Sequence, residues 1–318
     1  MRTHDALPAV LTTRQAADRG ALALLRNGTY RRAGHGVYLV AGADRSDPDV
    51  RTAVATAGLP PGVVVGGWAA ARAHERRSLR RGDVAQFDGW DRGRRAPRAV
   101  LLLAGRRTRL VDTPFRRLLR SPVGPDERCR VDGLVVTTPL RTAFDLARLT
   151  TVDEGVIALD RLRAIDVIDP DALARLVAER SRWQGSARAR RVLALSAGGV
   201  ESPQESVLRL LWQEAGLPMP RCNASVFDGA GAFVARVDLI DPALGLVGEY
   251  DGAVHAAAQR RSRDAERQER LEALGLVVVR ATATDVADGA GRDDWCARLR
   301  RAAARARLRT GPMPWTVR

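Results

Sequence analysis

The chain has 318 residues, and 52 basic against 37 acidic side chains give it a formal charge of +15. None of the basic residues is lysine, so all 52 are arginine. With 45% apolar residues but only 5 Phe, 6 Trp and 3 Tyr, disorder over the whole length is excluded and the cores must be mostly Leu, Val and Ala. Three cysteines, Cys129, Cys222 and Cys296, are too few and too scattered for a disulfide framework or a Cys-rich zinc site. So few cysteines predict a reducing, cytoplasmic compartment, and no stretch is as long and apolar as a membrane span, which predicts no membrane partner.

The absence of lysine has a bland reading, the codon bias of a GC-rich genome, and a chemical one. Arginine is permanently charged and forked, which suits phosphate. The distribution of charge bears on the choice. Residues 71–120 carry 15 arginines against 5 acids, a balance of +10, whereas 201–280 carry 9 against 12. Such asymmetry predicts a polyanion surface in one part and another task in the other, with a solvated charged face as the alternative.

Residues 1–44 are expected to form a winged helix-turn-helix. Thr12 to Gln15 reads as a capping start and Ala21 to Arg26 as a second helix. Tyr30 to Leu39 then reads as two short strands around a glycine turn. The stretch Arg31-Arg32 through Gly36-Val37-Tyr38 resembles the N-terminal winged helix of AbiEi-type antitoxin proteins. That resemblance implies DNA binding by Arg31 and Arg32, and a toxin or defence-system partner; packing or protein contact is the other use of such a unit.

Residues 45–137 read as a basic α/β region, with helices near Asp47–Ala57 and Trp68–His74 and a strand near Ala99–Ala104. The pairs Arg76-Arg77 and Arg94-Arg95 are its candidate DNA contacts. Residues 138–199 read as a helical connector, with Leu146, Val156, Leu159, Leu162, Leu173 and Leu176 at helical spacing and no catalytic constellation. Thr138 to Ala147 also resembles the middle of the antitoxin-like proteins. Ala197-Gly198-Gly199 is the expected boundary, and the Arg/Ala-rich tail at 297–308 reads as a solvated helix.

From residue 200 to 318 the pattern becomes helix, three strands, helix, strand. Phe233 to Ile240 alternates as a strand, with Phe233, Ala235, Val237 and Leu239 on one face and Arg236 and Asp238 on the other. Leu246 to Asp251 follows, with Glu249 and Asp251 pointing the same way. Carboxylates converging from adjacent strands repel unless a hard divalent cation sits among them, and magnesium (or manganese) needs few protein carboxylates when phosphate and water complete its shell. Asp238, Glu249 and Asp251 are therefore the expected metal ligands. Glu205 on the opening helix is a further ligand or base, and His255 a general acid or base. A long helix from about Ala257 to Leu274 places Asp264, Arg267 and Leu271 on one face.

These motifs, Glu201-Ser202-Pro203-Gln204-Glu205, Arg236-Val237-Asp238, Glu249-Tyr250-Asp251-Gly252 with His255, Arg263-Asp264 with Arg267 and Leu271, and Gly275 to Arg280, resemble the very-short-patch-repair-like domain of the PD-(D/E)xK endonuclease superfamily. The resemblance implies a restriction-endonuclease-like α-βββ-α-β domain in a mixed α/β, multidomain protein, and a metal-dependent DNA endonuclease. It makes Asp238 the first motif acid and Glu249 the second, and sets Arg236, Arg263 and Arg267 beside the DNA. The position two after the second acid, usually lysine, is Asp251 here. A chain with no lysine cannot supply that group from any position, so transition-state charge must be met by metal, His255 or arginine. The alternatives are a catalytically inactive DNA-binding regulator or antitoxin-like protein, and a scaffold for acidic proteins.

Overall fold

Thr12 opens the first helix as its spacing predicts. Its hydroxyl accepts from the Gln15 backbone N–H at 3.1 Å, and the Gln15 side chain accepts from the Thr12 N–H at 2.9 Å, a reciprocal capping box. The structure, a computed structural model, describes residues 8–80, 83–91, 93–252, 258–287, 289–309 and 313–318, with the side chains of 258–264 excepted. The chain divides into two compact units, residues 1–149 with 165–184, and residues 150–164 with 185–318. The helices of the expected connector are thus shared between them.

The first unit begins with β1 (Val10–Thr12), α1 (Thr13–Asp18), α2 (Leu22–Arg26), β2 (Tyr30–Gly34) and β3 (Val37–Val40). Here β3 lies between β1 and β2, antiparallel to both. The strand β1 is not visible in the periodicity, because three residues are too few to show alternation. There follow α3 (Pro48–Thr56), β4 (Val64–Gly66), α4 (Gly67–Ser78), β5 (Trp90–Asp91), β6 (Ala96–Pro97), β7 (Val100–Leu103), β8 (Arg116–Leu119), β9 (Arg128–Val131), β10 (Leu134–Thr137) and α5 (Pro139–Leu149). Five of these strands form one mixed sheet in the order β8-β7-β4-β10-β9, and β5 with β6 forms a separate hairpin. Val65, Val100, Leu102 and Val136 of this sheet pack with Trp68, Ala69 and Ala70 of α4.

The chain then contributes α6 (Val152–Ala164) to the second unit and α7 (Pro170–Glu179) to the first. The second unit continues with α8 (Ser186–Leu195), α9 (Pro203–Glu214), β11 (Arg221–Asp228), β12 (Phe233–Asp241), β13 (Leu246–Tyr250), α10 (Ala258–Ala273), β14 (Val277–Ala281), α11 (Ala283–Val286), α12 (Ala290–Arg307) and β15 (Trp315–Val317). Its sheet has the order β14-β13-β12-β11-β15, with β13 and β14 parallel and the other neighbours antiparallel. Leu208, Leu211 and Trp212 of α9 pack with Trp295, Leu299 and Ala302 of α12 and with Leu239 and Val279 of the sheet. A second cluster joins Leu271 of α10 to Ile240 and Val247. The protein is therefore mixed α/β. Among the described residues no helix is long and apolar enough to cross a membrane.

Two local expectations change. The pairing of β11 with β12 shifts register between Val226 and Phe227, so Val234 turns inward and Phe233 is 58% exposed instead of sharing the buried face of Ala235. The Arg/Ala-rich tail is not a merely solvated helix: Leu299, Ala302, Ala303 and Ala306 of α12 are buried, because alanines at helical spacing let it lie close to its neighbours.

Candidate active site

Register places the expected acids side by side. Leu239 pairs with Gly248 and Ile240 with Val247, so the next pair across β12 and β13 is Asp238 with Glu249. On the far side of β13, Glu249 is in register with Arg280 of β14. On the far side of β12, the pairs Cys222 with Leu239 and Ala224 with Val237 leave Asn223 opposite Asp238. Asn223, Asp238, Glu249 and Arg280 thus form one row across four strands. Glycine at 248 serves packing, since a Cβ there would stand 3.1 Å from the Trp212 ring.

Asn223 adopts φ of 50°, a left-handed conformation that asparagine tolerates better than most residues. Its amide donates to the Gly199 carbonyl at 2.9 Å and to Glu205 Oε2. The same oxygen of Glu205 accepts the Glu201 N–H at 2.9 Å, and Ser202 caps α9 by accepting the Glu205 N–H at 3.2 Å. The Glu-Ser-Pro-Gln-Glu motif therefore fixes Glu205 on the first turn of α9.

Asp238 Oδ2 accepts the Tyr250 N–H at 2.8 Å. Burial pushes its carboxyl up to about 6; the Tyr250 hydrogen bond opposes the rise, and the charges of Glu205 and Glu249 add to it. Glu249, 7% exposed, accepts a two-pronged contact from Arg267 of α10, with Nη1 2.9 Å from Oε2 and Nη2 on Oε1. The Arg267 Nη2 also donates to the Arg236 carbonyl. Arg236 itself grips both oxygens of Glu201, which holds the Glu201 carboxyl below its ordinary range. Arg267 and Arg236 are thus turned onto carboxylates.

The expected residues separate into groups. Glu205, Asp238, Glu249, Arg236 and Arg267 come together. Asp251 lies just beyond β13, 58% exposed at its side chain and 4.0 Å from Arg280 Nη1. His255 and the side chain of Arg263 lie outside the described residues. Arg31 and Arg32 are exposed on β2, Arg76 and Arg77 are exposed in the last turn of α4, and Arg94 and Arg95 are exposed between β5 and β6. Among the described residues no group of three or more His, Cys, Asp or Glu is arranged to hold a metal ion. A magnesium (or manganese) ion needs only one or two protein carboxylates; Asp238 and Glu249, neighbours in register, are the residues that would hold one, and the ion would have to displace Arg267 from the Glu249 oxygens. The sequence did not single out Asn223 and gave Arg280 no role of its own; only the strand register brings them into this row.

No family model matches the chain. Two curated relatives from Mycobacterium tuberculosis, "Uncharacterized protein Rv2248" from strain ATCC 25618 / H37Rv and "Uncharacterized protein MT2308" from strain CDC 1551 / Oshkosh, are each 33% identical over 181 residues. The match takes in 56% of this chain and 65% of each relative, so the chain spans less than two thirds of their length.

Proposed function

We propose that the protein acts on DNA, and that its second unit is a metal-dependent endonuclease that hydrolyses phosphodiester bonds. The observation that carries this reading is the Asp238 and Glu249 pair on neighbouring strands, with Asp238 pushed up to about 6 beside Glu205 and Glu249. The order α9, β11, β12, β13, α10, β14 supports it, since it follows the α-βββ-α-β plan of the PD-(D/E)xK superfamily. The helices and three-stranded sheet at the start of the first unit support a winged helix that binds DNA through Arg31 and Arg32.

A bound magnesium or manganese ion, held by Asp238 and Glu249, would supply a lowered pKa for its water and charge stabilisation at the scissile phosphate. The chain's own part is orientation. Tyr250 N–H fixes one oxygen of Asp238 and Asn223 fixes Glu205 at the edge of the pair, while Arg267 holds Glu249 in the ion's absence. Purified protein is expected to cut duplex, mismatched or single-stranded DNA with Mg or Mn and to lose cleavage in Asp238→Asn. Uncut DNA under all these conditions overturns the reading.

A second reading is a DNA-binding regulator, of the antitoxin-like kind, whose nuclease fold is silent. The Arg267 contact on Glu249 and the absence of lysine favour it. It predicts DNA binding that survives Asp238→Asn with no cleavage in either protein.

A further inference from the structure

The chain has six tryptophans. Trp68, Trp212, Trp295 and Trp315 are buried, and Trp183 lies under the guanidinium groups of Arg141, Arg148 and Arg180. Trp90 is the exception: 39% exposed, it stands on β5 opposite Pro97 of β6, and the arginines Arg94 and Arg95 lie in the connection between these two strands.

The root of this hairpin is held by a buried cation. Arg51 is 7% exposed and lies 4.9 Å over the Trp68 ring. Its Nη1 donates to the Asp88 carbonyl at 3.1 Å, and its Nη2 donates to the carbonyls of Gly89, at 2.9 Å, and Arg98. One guanidinium thereby ties together the strand that enters the hairpin and the strand that leaves it. Gly89 adopts φ of +64° where a Cβ would meet the Trp68 ring at 2.6 Å, and the Arg98 N–H donates to its carbonyl at 2.8 Å. Asp91 ties the interior, accepting the Arg94 N–H at 2.9 Å and lying 3.3 Å from Arg98 Nη2. Desolvating a guanidinium is costly, and here the return is a rigid base under a two-residue ladder that has no core of its own.

A partly exposed indole beside arginines, on a hairpin whose root Arg51 ties down, in the segment whose balance is +10, has the chemistry of a nucleobase platform. We propose that the β5–β6 hairpin probes DNA for unpaired bases, with Trp90 stacking on a base that has left its pair and Arg94 and Arg95 holding the adjacent phosphates. The inference rests on the DNA-acting reading and names what the first unit recognises. Stacking needs a base face not already covered by its neighbours, which costs least to uncover on an unpaired base, so the hairpin discriminates mismatched or single-stranded DNA from a matched duplex. The arginines act on all three alike through the phosphates.

The test measures binding of the full-length protein, without divalent metal, to matched duplex, to the same duplex with one mismatch carrying 2-aminopurine, and to the single strand. Wild type is expected to prefer the two DNAs with unpaired bases and to quench 2-aminopurine fluorescence. Trp90→Ala is expected to lose roughly 5- to 100-fold in affinity for those DNAs, the range of one aromatic–base stack, while matched duplex binding changes less than about twofold. Trp90→Phe is expected to keep most of the preference, which separates stacking from loss of the hairpin. Arg94→Gln with Arg95→Gln weakens binding to all three and lowers the salt slope by about 1.8 on duplex. Unchanged discrimination in Trp90→Ala, or equal binding of all three DNAs by wild type, overturns the hairpin inference and leaves DNA binding standing. A wild-type protein that binds none of them overturns both.

Discussion

Arg267 and Glu249 meet guanidinium to carboxylate, two nitrogens on two oxygens, with Nη1 2.9 Å from Oε2 across 18 residues of sequence. The carboxylate is 7% exposed, and its neighbour in register is Asp238, so Arg267 offsets the repulsion between two adjacent acids. Arg267→Met keeps the stem and removes the charge. Leaving a buried acid unpaired costs about 3–5 kcal/mol in full burial, and the partial exposure of Arg267 reduces the expected loss to about 2 kcal/mol. Millimolar Mn is expected to raise the melting temperature of the variant more than that of wild type, because the ion meets a demand that Arg267 otherwise meets. Calorimetry with and without Mn checks this; equal metal responses in the two proteins would show that the pair does not compete with a cation.

Asp238 makes stability depend on pH in a direction opposite to that of an ordinary paired carboxylate. Its value rises from 3.8 to about 6, so the folded state holds the proton longer than the unfolded state does. The associated stability is fully present below about pH 4 and is lost as pH rises through 6. A two-unit shift amounts to on the order of 2–3 kcal/mol. Asp238→Asn, whose side-chain oxygen can still accept the Tyr250 N–H, is expected to be more stable than wild type by up to that amount at pH 8. The gap closes as pH falls from 6 to 4. Urea titrations at pH 4.5 and 8 measure the gap, and an asparagine variant that is less stable at both would overturn this account of the site.

What the sequence made legible was chemistry governed by short spacing. The capping box of Thr12 and Gln15 spans three residues, and period two puts Asp238 and Glu249 on their proper strands. The partners of those acids are hidden in the sequence for a physical reason. The resemblance sets Arg267 beside DNA, and helical spacing does not decide the matter, because a helix face specifies direction only relative to its own axis; the docking of α10 turns that face onto Glu249. Alternation puts Phe233 inside because it assumes an unbroken ladder, which the register shift near Val226 violates. Asn223 and Arg280 become visible only when register aligns four strands, and Arg51 gives no local sign that it holds a hairpin 37 residues away.

A second buried charge network sits within the second unit and joins α6 of the expected connector to α9. Asp160 of α6 accepts from Arg209 Nη2 at 2.6 Å and from the Ser206 hydroxyl at 2.8 Å, and it accepts the Ala197 N–H at 2.8 Å. Burial raises its carboxyl, and Arg209 is the chief opposing influence. Arg209→Leu leaves Asp160 buried without its cation and is expected to cost about 3–5 kcal/mol. Adding Asp160→Leu is expected to recover part of that loss, because the uncompensated charge is removed. A double-mutant cycle by urea unfolding reads the coupling. Additive losses would mean the two side chains act independently.

Arg31 and Arg32 separate binding from chemistry. Both are exposed on β2, and the Arg32 carbonyl accepts from Arg45 at 3.0 Å, which adds a third guanidinium to the same edge of the small sheet. Both belong to the first unit and the paired acids to the second, so their replacement should leave the carboxylate site unaltered. If they hold phosphate, Arg31→Gln with Arg32→Gln lowers the slope of log affinity against log salt by about 1.8, at roughly 0.9 for each phosphate no longer neutralised. The loss of affinity is then large at low salt and shrinks as salt rises, because the electrostatic contribution it removes is already screened there. Cleavage at saturating protein is expected to be unchanged, whereas cleavage at limiting protein falls with the affinity. Fluorescence anisotropy over a salt series, read beside single-turnover cleavage, distinguishes the two. An unaltered salt slope would remove the small sheet from the DNA interface, and a lower saturating rate would place these arginines in the chemistry instead.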